Sequence, residues 1–238
     1  MTRVIEPGRF HKLSVLIPCF NELDTLAIIV ELVRAVETGL SIEIVVVDDG
    51  STDGTREVIK ELADEGLVRA FYLSHNQGKG AAVQRALKEA TGDICLIQDA
   101  DLEYDPSDYP ALLRPILTGR AEVVYGSRFL GEHRAMYFWH SVGNQLLTLM
   151  TNVLYDTTLT DMETCYKVMT AEVAHRLRLT SPRWGFDPEI TAKILRTGVR
   201  IYEVPIAYMG REFHEGKKIS WKDAFVVMLT LIRCRIFP

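Results

Sequence analysis

The chain has 238 residues, 27 Lys and Arg against 32 Asp and Glu, and 47% hydrophobic residues. That is enough to bury a sizeable core, and with 25% charged residues it excludes disordered and fibrous classes. A net charge of −5 argues against general nucleic-acid binding, which needs a basic surface for phosphate contacts.

The first half alternates strand and helix patterns. Leu13 to Ile17 is a short apolar run stopped by Pro18, as in a buried parallel strand. Asn21 and Glu22 open a helical segment to about Glu37, with Leu26, Ile29, Val30 and Val33 at helical spacing. Ile42 to Val47 is the second strand, and the turn Asp48 to Thr55 caps a helix through about Asp64. Val68 to Leu73 reads as a strand, Gly78 to Ala90 as a helix, Ile94 to Ile97 as a strand, and Glu122 to Tyr125 as another. Further on, Trp139 to Tyr155 reads as helix, Glu163 to Met169 as strand, Asp187 to Arg196 as helix, Tyr202 to Pro205 as strand and Trp221 to Phe237 as helix. Repeated strand–helix units predict the α/β class, with a mostly parallel sheet and ligands outside the carboxyl ends of its strands.

Cys19, Cys95, Cys165 and Cys234 lie far apart without a C-x-x-C pair, which argues for reduced thiols over a disulfide framework or zinc site. Met1 to Lys12 is polar and lacks the apolar core of a secretory leader. Ala224 to Ile232, the longest apolar stretch near the end, is far shorter than the roughly 20 residues a spanning helix needs.

Three strand ends carry the chemistry. Asp99 and Asp101 follow the fourth strand at i, i+2, where both carboxylates can turn toward one point. Oxygen-only ligands suit Mg²⁺ or Mn²⁺ and leave positions for nucleotide phosphates. A solvated loop with acidic caps is the competing reading, and Glu103 is either a third oxygen ligand or exposed. Asp48 and Asp49 close the second strand, where Asp49 is a candidate for a nucleobase N–H, a ribose hydroxyl or backbone N–H groups. Asn76 to Gly80 matches neither a P-loop nor a dinucleotide fingerprint, yet Gly78-Lys79-Gly80 at a helix start can hold an anion or a base edge. The six histidines show no metal-ligand spacing, and Asp187 and Glu189 read as helix caps.

The motifs Ile17-Pro-Cys-Phe-Asn-Glu22, Val46 to Thr55, Asn76-Gln-Gly-Lys-Gly-Ala81, Asp99-Ala-Asp101 and Gly126-Ser-Arg128 occur in that order. Together they resemble glycosyltransferase family 2, in the branch of polyprenyl-phosphate sugar synthases similar to dolichol-phosphate mannosyltransferase. The match is clear from about residue 13 to 130 and weaker through Asp161 to Lys167 and on to Arg211 to Lys218. The resemblance implies a single Rossmann-like domain of the GT-A type. Residues 13–130 would bind the nucleotide sugar, 131–218 would form the acceptor half and closing loop, and 219–238 a C-terminal amphipathic helix. It also implies that Pro18, Phe20, Glu22, Val47 and Asp49 hold the nucleoside, with Lys79, Asp99 and Ala100 beside the donor. Asp99, Asp101 and Glu103 would form the Mg²⁺ or Mn²⁺ site, although the family usually has Gln or another residue at the Glu103 position. Arg128 would lie near the phosphates or acceptor, and Arg211 and Lys217 in the loop that closes over the diphosphate.

The implied reaction is inverting transfer of a hexose from GDP-mannose or UDP-glucose to a polyprenyl phosphate. Negative charge growing on the departing diphosphate calls for a divalent cation and basic groups. A phosphate acceptor, with a second pKa of about 6, needs no general base. A saccharide hydroxyl acceptor would need one, with Asp161 or Glu163 as candidates. A non-catalytic nucleotide-sugar-binding subunit is a third reading. Residues 211–238 hold six Lys or Arg against three acids, a net +3 that leaves −8 on the rest. With Trp221, Phe225, Leu229, Ile232 and Phe237, that segment fits a helix resting on an anionic membrane surface; packing on the sheet is the alternative. Met136-Tyr-Phe-Trp139 can receive a polyprenyl chain as a loop, or would be core as a helix start. The expected location is therefore cytoplasmic, peripheral at the membrane face, with recruitment through the tail or a separate membrane subunit.

Overall fold

Strand β1 (Lys12–Cys19) pairs in parallel with β2 (Ser41–Asp48) on one side and β4 (Ile94–Ile97) on the other. In this computed structural model, which describes residues 9–183, 185–210 and 221–237, β3 (Arg69–Tyr72) adds to the free edge of β2. Beyond β4 the order continues through β6 (Lys167–Thr170), β5 (Val123–Ser127) and β7 (Ile201–Pro205), so the seven strands run β3-β2-β1-β4-β6-β5-β7. The apolar runs of β1, β2 and β4 are buried because helices cover both faces, as in parallel α/β sheets.

One strand breaks the parallel pattern. β6 runs antiparallel to both β4 and β5, while β5 and β7 are parallel to each other. The sheet is thus mixed but mostly parallel, the expected α/β class. The carboxyl ends of β1, β2, β4, β5 and β7 all open on one edge. Because β6 is reversed, the loop that precedes it, residues 161–166, arrives at that same edge.

The helices are α1 (Leu26–Ala35), α2 (Thr55–Asp64), α3 (Lys79–Glu89), α4 (Tyr109–Leu117), α5 (Phe138–Tyr155), α6 (Ala171–Arg176), α7 (Phe186–Arg196) and α8 (Trp221–Ile236). Several bounds correct the sequence reading. α1 begins at Leu26, not near Asn21, because Asn21 is left-handed (φ 55°) and its side chain accepts a hydrogen bond from the Thr52 N–H. β6 begins at Lys167, not Glu163, since residues 161–166 form a largely buried turn. α4 and α6 were not expected. Pro110 and Pro115 interrupt the apolar period of α4, although Pro110 sits in its first turn, where no N–H is needed. α8 packs on α5 and α7, with Val227 and Leu231 against Met162, Leu147 and Met150. Its packed side therefore faces helices and not the sheet.

At the opposite end of the sheet, Glu43 of β2 joins four neighbours, one of them Lys12, whose Nζ lies 2.9 Å from Oε2. It accepts from Ser14 Oγ at 2.5 Å, from the Thr91 N–H at 2.6 Å and from Arg69 Nη1 at 3.1 Å. Burial alone would raise its carboxyl, but Ser14, Thr91 and Lys12 together bring it from 4.5 down to about 2. The folded value lies below the unfolded one, so this stabilisation is complete above pH 4.5 and is lost as pH falls toward 2. Glu43→Gln is expected to cost roughly 2–3 kcal/mol at pH 7 and to flatten the acid limb of stability. Urea unfolding between pH 2 and 7 checks both.

Candidate active site

The end of β2 shows how the adjacent acids divide their work. Asp48 accepts from the N–H groups of Gly50 and Ser51 and from Arg56 Nε at 2.6 Å. Asp49 accepts from the Gln77 and Gly78 N–H groups, each at 2.7 Å. Burial lifts the Asp49 carboxyl above its ordinary value even though those two N–H groups and Arg183 pull it down. Asp49 thus ties the 76–80 turn to the strand end through the backbone, one of the partners expected for it. Gly78, at φ 101°, approaches so closely that an added Cβ would lie 2.6 Å from the Pro182 carbonyl oxygen. Pro18 and Val47 lie side by side in the β1–β2 register, with Phe20 and Glu22 just beyond the β1 end. The Glu22 carboxylate accepts from Thr25 Oγ1 at 3.0 Å.

After β4 the acidic loop turns outward. Lys79, at the start of α3, reaches Asp99 with Nζ 2.7 Å from Oδ1 and 2.8 Å from Oδ2. Burial works against the Lys79 charge, but Asp99, with Cys165 and Asp187 behind it, holds the ammonium well above its ordinary range. Ala100 is buried, and Asp101 Oδ1 accepts from the Glu103 N–H at 3.2 Å. Leu102 between them is left-handed (φ 61°), a strained conformation for leucine. Asp101 and Leu102 line an open cleft of about 480 Å³ together with Glu22, Asp53, Arg134 and Gly210.

Asp99, Asp101 and Glu103 are not gathered into one three-carboxylate cluster here. Among the described residues no three His, Cys, Asp or Glu side chains are close enough to hold a metal ion. Asp99 turns to Lys79, and Glu103 Oε2 accepts from the Tyr208 hydroxyl at 2.9 Å. Asp101 lines the cleft with Glu22, Asp24 and Asp53, and its carboxylate is a hard oxygen donor of the kind that fits Mg²⁺ or Mn²⁺.

Arg128, after β5, is buried with Asp161 in a bidentate pair. Nε lies 2.7 Å from Oδ2 and Nη2 2.7 Å from Oδ1, while the Arg128 backbone N–H adds a third bond at 3.1 Å. Both carboxylate oxygens of Asp161, one of the two candidate bases, are thereby engaged by Arg128. The Tyr208 ring centroid is 5.3 Å from the Arg128 guanidinium, so Tyr208 links the acidic loop to this pair. Sequence reasoning missed Tyr208, because nothing near it in the chain distinguishes it. It also missed the fully buried Lys167, whose Nζ lies 2.5 Å from Asp187 Oδ1, so that Asp187 is more than a helix cap. Glu163, the other candidate base, has a buried Oε1 without a hydrogen-bond partner among the described residues. Arg211 and Lys217 lie outside the described residues.

Phe138 and Trp139 open α5 with their side chains 69% and 80% exposed, which corrects the core reading of that aromatic cluster. Leu146, Leu149 and Val153 on α5, and Phe225, Leu229 and Ile236 on α8, are exposed as well. Among the described residues no helix is long and apolar enough to cross a membrane.

The family model described as "Glycosyl transferase family 2" matches residues 14–178, the stretch that carries Asp101 and Arg128. The chain belongs to that family. It is 38% identical over 119 residues to the dolichol-phosphate mannosyltransferase of Pyrococcus furiosus, covering 50% of this chain and 34% of the relative. It is 28% identical over 243 residues to the dolichyl-phosphate beta-glucosyltransferase ALG5D of Trichomonas vaginalis, covering 94% and 73%. The chain thus spans about a third of the length of the archaeal relative. Glucosyl-3-phosphoglycerate synthase from Mycobacterium tuberculosis, crystallised with Mn²⁺, UDP and glucosyl-3-phosphoglycerate, superposes with a TM-score of 0.73 at 22% identity, covering 96% of this chain and 81% of that one. That likeness supports the GT-A type of fold.

Removing one member of the buried pair leaves the other charge uncompensated. Arg128→Met is expected to destabilise the protein by roughly 3–5 kcal/mol at pH 7. Chemical denaturation of both proteins measures the difference.

Proposed function

We propose that this glycosyltransferase moves a hexose, with inversion, from a nucleoside diphosphate sugar to a polyprenyl phosphate at a membrane face. The observation that carries the reading is that the acidic loop of Asp101 and the Arg128–Asp161 pair share one strand edge, joined through Glu103 and Tyr208. The mannosyl- and glucosyltransferase names of the relatives support the acceptor class and leave GDP-mannose and UDP-glucose as donors. Mg²⁺ or Mn²⁺ held by Asp101 would supply positive charge to the leaving diphosphate.

The protein's own groups then have defined tasks. Pro18, Phe20, Glu22 and Val47 shape the nucleoside end of the cleft. Asp49 and Gly78 fix the turn that presents Lys79, and Lys79 holds Asp99 in place beside the donor. Arg128 lies on the phosphoryl side, and we assign Arg211 and Lys217 to the closing loop. An acceptor phosphate oxygen forms a bond to the sugar C1 as the bond from C1 to the diphosphate oxygen breaks, and the nucleoside diphosphate leaves. No proton needs removal, since a phosphate monoester is largely a dianion near neutral pH. The bidentate commitment of Asp161 favours such an acceptor over a hydroxyl. The exposed apolar faces of α5 and α8, with Arg233 and Arg235 in the last turn of α8, fit a membrane surface or a membrane subunit.

A radiolabelled transfer assay tests the proposal, with each donor offered separately to a short polyprenyl phosphate in detergent with Mg²⁺ or Mn²⁺. Label is expected in the organic phase with one donor, and Asp101→Ala is expected to reduce it at least a hundredfold. Donor binding without lipid-phase label would refute the acceptor assignment.

A further inference from the structure

Glu163 stands apart from the other acids at this edge. Asp161 holds Arg128, Asp187 holds Lys167 and Asp99 holds Lys79, so each of those carboxylates has its own cation. Among the described residues Glu163 forms no ion pair, and its Oε1 is buried without a hydrogen-bond partner. Four charged groups act on it electrostatically from separate places: Arg128 after β5, Lys167 on β6, Asp187 on α7 and Asp161 on its own loop. Their charges cancel in pairs, so among the described residues of the cluster an ionised Glu163 would be left uncompensated. Burial, with Asp187 second, lifts its carboxyl from 4.5 to about 8 against the pull of Lys167 and Arg128.

The Arg128–Asp161 pair is neutral overall, so a dianion arriving at Arg128 meets little surplus positive charge. One more negative charge nearby makes its arrival unfavourable. We propose that Glu163 is a charge-setting positioning residue of the Arg128 site: as the neutral acid it lets the guanidinium receive a phosphoryl dianion, and on ionisation it withdraws that capacity. This deepens the proposed transfer reaction and rests on its placement of Arg128 on the phosphoryl side. The phosphoryl group belongs either to the acceptor or to the donor diphosphate.

Sulfate is a suitable probe, because it stays a dianion between pH 6 and 9 and its binding requires no transferase activity. Titration calorimetry with the full chain is expected to show about tenfold weaker sulfate binding at pH 9 than at pH 7. Glu163→Gln, neutral and of the same size, is expected to bind equally at both. Folding of the variant is checked by its stability. The wild type should lose stability relative to Glu163→Gln as pH rises from about 4.5 to about 8, because the unfolded chain ionises first. In the transfer assay, an alkaline rise in KM for polyprenyl phosphate that is absent in Glu163→Gln assigns the dianion to the acceptor; the same behaviour in the donor KM assigns it to the diphosphate. A flat wild-type sulfate profile, or the same decline in both proteins, overturns the proposal. A positive sulfate result without lipid transfer would refute the acceptor class and leave the role of Glu163 standing.

Discussion

Arg128 and Asp161 meet through two side-chain hydrogen bonds of 2.7 Å each, both groups withdrawn from water. Withdrawing two charges costs several kcal/mol per ion, and only good geometry with further hydrogen bonds offsets it. The surroundings meet that condition. The Arg128 backbone N–H also donates to Asp161, the Asp161 N–H donates to Glu203, and the Tyr208 ring lies against the guanidinium. A pair so constrained positions β5, the loop before β6, β7 and Tyr208 relative to one another. The acidic loop follows through the hydrogen bond from Tyr208 to Glu103.

The reversed strand makes this possible. With β6 parallel to its neighbours, the loop carrying Asp161 and Glu163 would leave the sheet at the far edge. Antiparallel pairing to β4 and β5 brings that loop to the edge where the other strands end. The buried charge then has the same source as the open cleft: one sheet edge receives loops from both halves of the chain. Charges this close must be balanced, and the pairs Lys79–Asp99, Lys167–Asp187 and Arg128–Asp161 do so.

The helices of the second half follow a different rule. α5 and α8 bury Leu147, Met150, Val227 and Leu231 between them and leave Leu149, Val153 and Leu229 in the open. Apolar area left outside a core in this way marks a surface adapted to a partner less polar than water.

By itself the sequence determined the elements whose signals are local: the apolar runs of β1, β2 and β4, the glycine turn before α3, and Asp99 and Asp101 at a strand end. Those features are short-range, since strand burial and turn geometry are written in adjacent residues. The family followed from the same local motifs in their order. Only the tertiary structure decided what the acids do. Asp161 and Glu163 are two residues apart and equally acidic on paper, yet one meets Arg128, 33 positions away, and the other meets no cation of its own among the described residues. Likewise Glu103 pairs with Tyr208 across 105 positions, so no spacing near it could reveal that its carboxylate is engaged. The balance of buried charge is set by which distant residues share a low-dielectric volume, and that is a property of the folded chain alone.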